Sequence, residues 1–314
     1  MLTAFAALAL LIGIGVLAMR QVRQWMRYET FYYLHLAVYL AAFLAYAHQF
    51  STGAQFAHAG WPRAWWIALY VTALACLGYG RVIKPIVLNV RHRPRVAAVV
   101  PEAPGVVSVY VTGQRLSELD VHAGQFFRWR FLTREGWWQA HPFSLSAAPN
   151  PQWLRLTVKT IGDHSHAVTG LRPGVRVWLE GPTGTFTTHR RRRENALLIA
   201  GGIGIAPVRA LLEELPAGGK ILYRVSRSED LVFRQELEAL AQGRGHQLRY
   251  LIGSRRDPAL RQAFSPDGLR GLVPDVRQRD VYVCGPPGMV TGIVDSLRTL
   301  RVPRRQIHLD PFEL

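Results

Sequence analysis

The sequence predicts a multi-domain chain: an α-helical membrane segment, then a small antiparallel β-barrel, then an α/β domain built on a doubly wound parallel sheet. Three observations lead to this. Uncharged runs close to membrane length crowd the first 90 residues, short apolar strands broken by Gly and Pro follow residue 94, and from residue 196 apolar strands alternate with helical stretches. The resulting division is 1–90, 91–193 and 194–314. A length of 314 residues suffices for two or three packed cores. Cys76 and Cys284 are the only cysteines, which excludes a disulfide scaffold, an iron–sulfur cluster and a cysteine-held zinc site.

The membrane segment follows from charge distribution. Apolar residues make up 49% of the chain and charged residues 19%, below the usual quarter or so, and the first 90 residues hold six basic side chains and one acid. Residues 2–19, 31–50 and 64–80 are runs of 18, 20 and 17 residues without Asp, Glu, Lys or Arg, against the ~20 that cross a bilayer core. A secretory signal peptide is the competing reading of the first run, yet that run lacks a positive amino end and is followed at once by Arg20, Arg23 and Arg27. By the positive-inside rule this cluster and the group Arg81, Lys84, Arg91, Arg93 and Arg95 lie in the cytoplasm, leaving residues 51–63 outside. The expected location is the cell (inner) membrane, multi-pass, with the remainder of the chain cytoplasmic. The net charge of +17 is dispersed and has no aromatic stacking platform beside it, so membrane lipid, and not nucleic acid, is the expected partner.

His35 and His48 fall in the middle run. Ionisable groups inside a membrane need a partner, and each imidazole suits a haem iron. Thirteen residues at ~1.5 Å each put them roughly 20 Å apart, one near each face of the bilayer, too far to share one metal. Interfacial histidines beside an aromatic belt of Phe31, Tyr32, Tyr33, Tyr46 and Phe50 are an equally good reading on residue type alone.

Beyond Pro94, strands are expected at 95–100, 106–112, 125–131, 154–160 and 176–180, the pattern of an antiparallel barrel. The parallel sheet is expected from strands at 197–200, 221–225, 248–252 and 281–284, with helices at 207–215, 231–241 and 289–300. Residues 200–207, Ala-Gly-Gly-Ile-Gly-Ile-Ala-Pro, join the first of these strands to its helix. Gly201, Gly202 and Gly204 bare the backbone there, and Pro207 opens the helix whose amino end suits a pyrophosphate; a tight turn without ligand is the competing reading. The next strand ends in Ser226-Arg227, where an acidic residue would grip a ribose 2′-hydroxyl, so a 2′-phosphate is modestly preferred despite Glu229 and Asp230 nearby.

Several motifs together resemble ferredoxin–NADP reductase-type flavoproteins: His141-Pro142-Phe143-Ser144, Lys159 with Gly162 and Ser165, Gly181-Pro-Thr-Gly-Thr-Phe186, Gly201-Gly202-Ile-Gly204, Cys284-Gly285-Pro286-Pro-Gly288 and the terminal Phe312. The attached helical segment, with its two histidines, resembles the ferric reductase and NADPH oxidase family. The resemblance implies FAD on the barrel and NADPH or NADH on the parallel sheet. It places His141 at the FAD pyrophosphate, Pro142 beside it in the same cofactor-binding motif, Phe143 against the isoalloxazine, Ser144 near flavin N5, and Lys159, Gly162 and Ser165 at the second phosphate segment. Cys284, with Gly285 and Pro286, would lie beside the nicotinamide, and Phe312 would cover the flavin. Read without the resemblance, His141 is a satisfied barrel histidine, Phe143 a core aromatic and Cys284 a small buried hydrophobe. Thr183, Pro311 and Leu314 depart from the family pattern.

Relatives hold each haem b between this helix and another, in a core of six spans. Three spans are expected here and neither outer one contains histidine, so either the sequence is a truncated gene product that lacks amino-terminal helices, or a second subunit or second copy would supply the missing ligands. The implied activity is an NAD(P)H-dependent ferric reductase-like or NADPH oxidase-like oxidoreductase. Electrons would pass from NAD(P)H through FAD, and haem at His35 and His48, across the membrane to ferric iron or oxygen. The competing readings are a haem-free membrane-anchored NAD(P)H:flavin reductase and a basic membrane-binding or assembly subunit without catalysis.

Overall fold

A computed structural model of the chain describes residues 2–19, 22, 28–52, 60–160, 167–254 and 256–311. The chain divides into two units, Met1–Val82 and Ile83–Leu314.

The first unit contains α1 (Leu2–Ala18), α2 (Tyr28–Thr52) and α3 (Trp61–Gly78). Their apolar residues are spread around the whole helix circumference, so most face outward: Phe5, Phe43 and Leu74 are exposed, whereas Ala7, Ile14 and Ala41 are buried. α1 packs along α2, and Tyr46 meets Tyr70 of α3 edge-on at 3.7 Å between ring centroids. His35 is exposed in this unit and His48 half-buried. Among the described residues one helix is both long and apolar enough to cross a bilayer: Trp61–His92, in which a π-turn at Tyr79–Ile83 joins α3 to α4 (Lys84–His92). Three spans were expected. α1 and the apolar part of α2, Leu34–Tyr46, are shorter than a span, because α1 stops at Ala18 and polar residues occupy both ends of α2.

The second unit begins with α4. The Asn89 side chain donates to the Leu179 carbonyl and accepts from the Leu179 amide, both at 2.8 Å, pinning α4 to strand β6 (Val177–Thr183). The other strands of this layer are β1 (Arg95–Ala103), β2 (Val106–Thr112), β3 (Phe126–Phe131), β4 (His141–Ser144) and β5 (Trp153–Lys159). Alternation sets the inward faces: Val107, Val109 and Val111 of β2, Phe127 and Trp129 of β3, and Leu154, Leu156 and Val158 of β5 form one core. The strands make two three-stranded antiparallel sheets, β1-β2-β5 and β4-β3-β6, joined by single bridges at Arg95–Arg176 and Leu145–Leu156. Those two bridges are what the structure has in place of the continuous ladder of the expected barrel.

The parallel sheet contains β7 (Ala196–Gly201), β8 (Lys220–Val225), β9 (Gln247–Ile252), β10 (Asp280–Gly285) and β11 (Ile307–Pro311), in the order β11-β10-β7-β8-β9. Helices α5 (Ile205–Leu212), α6 (Arg234–Arg244), α7 (Pro258–Ala263), α8 (Pro266–Leu272) and α9 (Pro287–Thr299) complete the domain. β7 is apolar throughout because both faces are covered. Leu198 and Ala200 join the core beneath α5 and α6, and Leu197 and Ile199 the core beneath α8 and α9. A buried ion-pair network ties the two layers together. Arg155 of β5 donates to both Glu236 carboxylate oxygens of α6 at 2.9 and 3.0 Å, and Arg209 of α5 reaches the same carboxylate at 2.8 Å.

Candidate redox site

The turn after β7 shows why three glycines stand there, and they do different things. A Cβ at Gly204 would lie 2.3 Å from the Cys284 carbonyl oxygen, and one at Gly201 2.6 Å from Met289 Sδ. Both glycines let the turn pack against β10 and α9. Gly202 has φ +56 and nothing within 4 Å of its Cβ position, so its backbone faces open space near the start of α5. Of the three, Gly202 is the one whose missing side chain leaves room for a ligand.

That turn borders an open cleft of about 310 Å³ between the antiparallel layer and the carboxyl ends of β7 and β8. Pro142, Phe143, Ser144 and Lys159 line it from one side, and Gly201, Gly202, Pro207, Ser226 and Pro286 from the other. These residues, predicted from separate motifs, are brought together by the fold. His141 is not among them. It lines a separate pocket of about 30 Å³, its ring 6.1 Å from that of Phe143. Arg227 does not line the cleft either: it is 70% exposed, with Glu229 at 3.7 Å and Asp230 at 3.5 Å, while Arg224 and Asp230 do line it. Gly162, Ser165 and Phe312 lie outside the described residues.

At the end of the cleft the register of β10 and β11 sets Cys284 opposite Asp310. Ser144 Oγ donates to Asp310 Oδ2 at 3.3 Å, and Cys284 Sγ to the Asp310 carbonyl oxygen at 3.1 Å. Cys284 is fully buried and lies behind the residues that line the cleft. Burial, with the Asp310 carboxylate beside it, pushes the Cys284 thiol well above its ordinary range, so it stays protonated. Burial also raises the Asp310 carboxyl, against the hydrogen bonds from Ser144 and Cys284, which favour its charged form. Asp310 is absent from the sequence expectations. The available signal was an acid two positions before Phe312 in a terminal β-segment, a segment that itself went unread.

The cleft fits the cofactors a flavin oxidoreductase needs. It has the volume of a ligand site, a bare glycine backbone at a helix amino end, and the exposed Lys159, which has no carboxylate partner among the described residues.

Residues 98–186 match the FAD-binding domain family and residues 198–295 the oxidoreductase NAD-binding domain family. Ferredoxin–NADP reductase B of Sorangium cellulosum is 32% identical over 190 residues, which is 54% of this chain and 77% of that one. The chain belongs to the ferredoxin–NADP reductase family. Another relative is the NADPH oxidoreductase of Mycobacterium tuberculosis, 26% identical over 269 residues, 81% of this chain and 69% of the relative. Among solved structures, the FAD/NAD-binding domain of nitric oxide dioxygenase from Vibrio cholerae shares the fold. Its TM-score is 0.57 at 24% identity, over 70% of this chain and 98% of that one. As a member of the ferredoxin–NADP reductase family, the protein is an NAD(P)H-dependent flavin oxidoreductase that uses FAD. These likenesses carry the two nucleotide domains. They add no support for haem, for the membrane segment or for a ferric reductase subtype.

Proposed function

We propose that the chain takes electrons from NADPH, or NADH, through FAD to an acceptor at the cell (inner) membrane. Ferric iron or oxygen is the terminal acceptor, and both nucleotide domains face the cytoplasm. The observation that carries the reading is the meeting of Ser144, Cys284 and Asp310 at the cleft, a hydroxyl, a thiol and a carboxyl from three strands of two domains. Bound FAD supplies acceptance of an electron pair and release of single electrons. The chain's residues position and protect. Ser144 holds a hydroxyl hydrogen that rotation can turn from Asp310 toward the cleft. Cys284, kept as a thiol by burial, is a compact neutral donor to Asp310 behind the cleft wall and adds no charge there. Asp310, its carboxyl raised by burial, holds a proton more readily than a surface aspartate. Lys159 and the Gly202 backbone meet diphosphate charge, and Ser226 and Arg227 favour the 2′-phosphate of NADPH.

Haem b at His35 and His48 is the part of this reading that the described helices do not complete. Neither α1 nor α3 contains histidine, so each haem would have one axial imidazole here and need the other from a further helix, a second copy or another subunit. No electron step is assigned to haem on these residues. The same shortage favours the second reading, a haem-free membrane-anchored NAD(P)H:flavin reductase. An absorption spectrum of the detergent-solubilised chain before and after NADPH separates them. A flavin band bleached by NADPH supports both. A Soret band lost in His35→Ala and His48→Ala supports haem, its absence leaves the haem-free enzyme, and a colourless protein that takes up no FAD refutes both.

A further inference from the structure

One end of the antiparallel layer collects features that the redox site leaves unused. Val177 N donates to the Pro94 carbonyl at 2.9 Å, Leu132 N donates to the Arg176 carbonyl at 2.9 Å, and Arg95 bridges Arg176. The exit of α4, the turn between β3 and β4 and the start of β6 therefore lie side by side. Arg93, Arg95, Arg172 and Arg176 are exposed in this region and, among the described residues, none has a carboxylate within ion-pair distance. The β3–β4 turn packs through Thr133, Gly136 and Gln139 onto Val168 and Leu171, around the pocket of about 30 Å³, which sets it next to Arg172. Hydrogen bonds from Gly136 N to Thr133 Oγ1 and from Gln139 N to the Gly136 carbonyl, both 3.0 Å, shape this turn. It displays Trp137 and Trp138, 59% and 38% exposed. Arg134 and Glu135 in the same turn cancel in charge.

Two exposed indoles beside uncompensated guanidinium groups make the composition of a contact with a lipid–water interface, where tryptophan settles at headgroup level and arginine meets phosphate. Continuity selects the bilayer over a soluble acidic partner: the chain enters this end directly from the apolar helix Trp61–His92. We propose that this end of the FAD domain rests on an anionic bilayer, with Trp137 and Trp138 in the interface and Arg93, Arg95, Arg172 and Arg176 against headgroup phosphates. The inference depends on the membrane reading above and goes further, because it assigns a lipid-contacting face to the nucleotide-binding part of the chain.

The test uses the full chain reconstituted in phosphatidylcholine bilayers with and without phosphatidylglycerol, containing lipid brominated near the headgroup end of its acyl chains. Tryptophan emission of the wild type minus that of Trp137→Phe/Trp138→Phe isolates the two indoles. That difference emission should lose most of its intensity to bromine in the phosphatidylglycerol bilayer. The loss should shrink when Arg93, Arg95, Arg172 and Arg176 are changed to Gln, each change costing roughly fivefold in association at low salt. Difference emission equal in brominated and unbrominated bilayers overturns the inference while leaving the membrane reading intact. If the double Phe variant loses FAD that the wild type retains, the indoles serve the cofactor and the inference also fails. If the chain does not float with the bilayer at all, the membrane reading and this inference fall together.

Discussion

Arg155→Met tests how the two halves of the cleft are held in register. Arg155 makes five hydrogen bonds, to Glu236 at 2.9 and 3.0 Å, to Ser146 Oγ and the Ser146 carbonyl at 3.2 and 2.8 Å, and to the Tyr110 hydroxyl at 3.2 Å. Its side chain is 2% exposed, and its guanidinium lies 4.5 Å over the Phe233 ring. Methionine keeps most of the volume and none of the donors. Removing one partner of a buried ion pair costs about 3–5 kcal/mol, because the remaining charge is stranded. Here the stranded group is Glu236, whose side chain is 35% exposed and keeps Arg209 at 2.8 Å, so solvent screening and the remaining partner bring the cost below that range, to about 2–3 kcal/mol. For a unit of this size that lowers Tm by roughly 5–10 °C.

The assay is thermal unfolding followed by flavin release, run as a double-mutant cycle with Glu236→Gln. A coupling of about 1–3 kcal/mol is expected. The pH dependence gives a second readout. Burial raises the Glu236 carboxyl, but Arg155 and Arg209 outweigh it and hold the group below its ordinary value of 4.5. A carboxyl lowered on folding contributes stability that is present above the unfolded value and is lost as pH falls through the folded one. The wild type should therefore resist acid to a lower pH than Arg155→Met. Additive single-mutant effects, together with superimposable acid-unfolding curves, would refute the clamp.

Four further outcomes follow. Arg227→Ala should raise the KM for NADPH at least about tenfold and leave NADH unchanged, since a charge-assisted hydrogen bond is worth ~1.5–3 kcal/mol; equal loss for both would show that no 2′-phosphate is read there. Ser144→Ala should slow flavin reduction by about 10²-fold in stopped flow with little change in NADPH affinity, the cost of one preorganised donor. Asp310→Asn should flatten the acid limb of the pH–rate profile, because the raised carboxyl is the group that titrates there; an unchanged profile would remove Asp310 from the reaction. Gly204→Ala should cost at least about 2 kcal/mol through its clash with the Cys284 carbonyl, whereas Gly202→Ala should cost only ~1–2 kcal/mol of left-handed backbone strain while weakening nucleotide binding.

The middle of the sheet was legible because β7 and β10 are buried on both faces and read as largely apolar runs: 197–200 was expected and Ala196–Gly201 is found. β4 and β11 were not legible for the opposite reason. His141-Pro142-Phe143-Ser144 and residues 307–311 mix polar, proline and apolar residues, and they are strands because neighbours pair with them. The apolar composition of residues 2–50 marked helices correctly, but composition does not fix where a helix ends, and the described lengths of α1 and of the apolar part of α2 fall short of a span. In the site, motif residues whose own chemistry suits the ligand reached the cleft, as Ser144, Lys159 and Gly202 did. The glycine string concealed a division of labour that only the distances from Gly201 to Met289 and from Gly204 to Cys284 expose.

Asp310 shows what kind of residue escapes sequence reading. Its neighbours in the chain are a polar–apolar alternation with no motif, and its importance comes from register: one parallel step between β10 and β11 sets it opposite Cys284. A shift of one residue would turn its carboxylate to the other face of the sheet, away from the cleft. The register is held at the far end of the same strands, where His308 Nε2 lies 2.9 Å from the fully buried Asp280 carboxylate and its ring stacks on Tyr282 at 4.4 Å. His308→Ala removes both contacts without touching the cleft. If β11 is positioned this way, the variant should lose the same acid limb of the pH–rate profile as Asp310→Asn, although its substitution lies two residues away. A variant destabilised but normal in pH profile would show that the pairing of β10 with β11 suffices and that the His308 contacts are only structural.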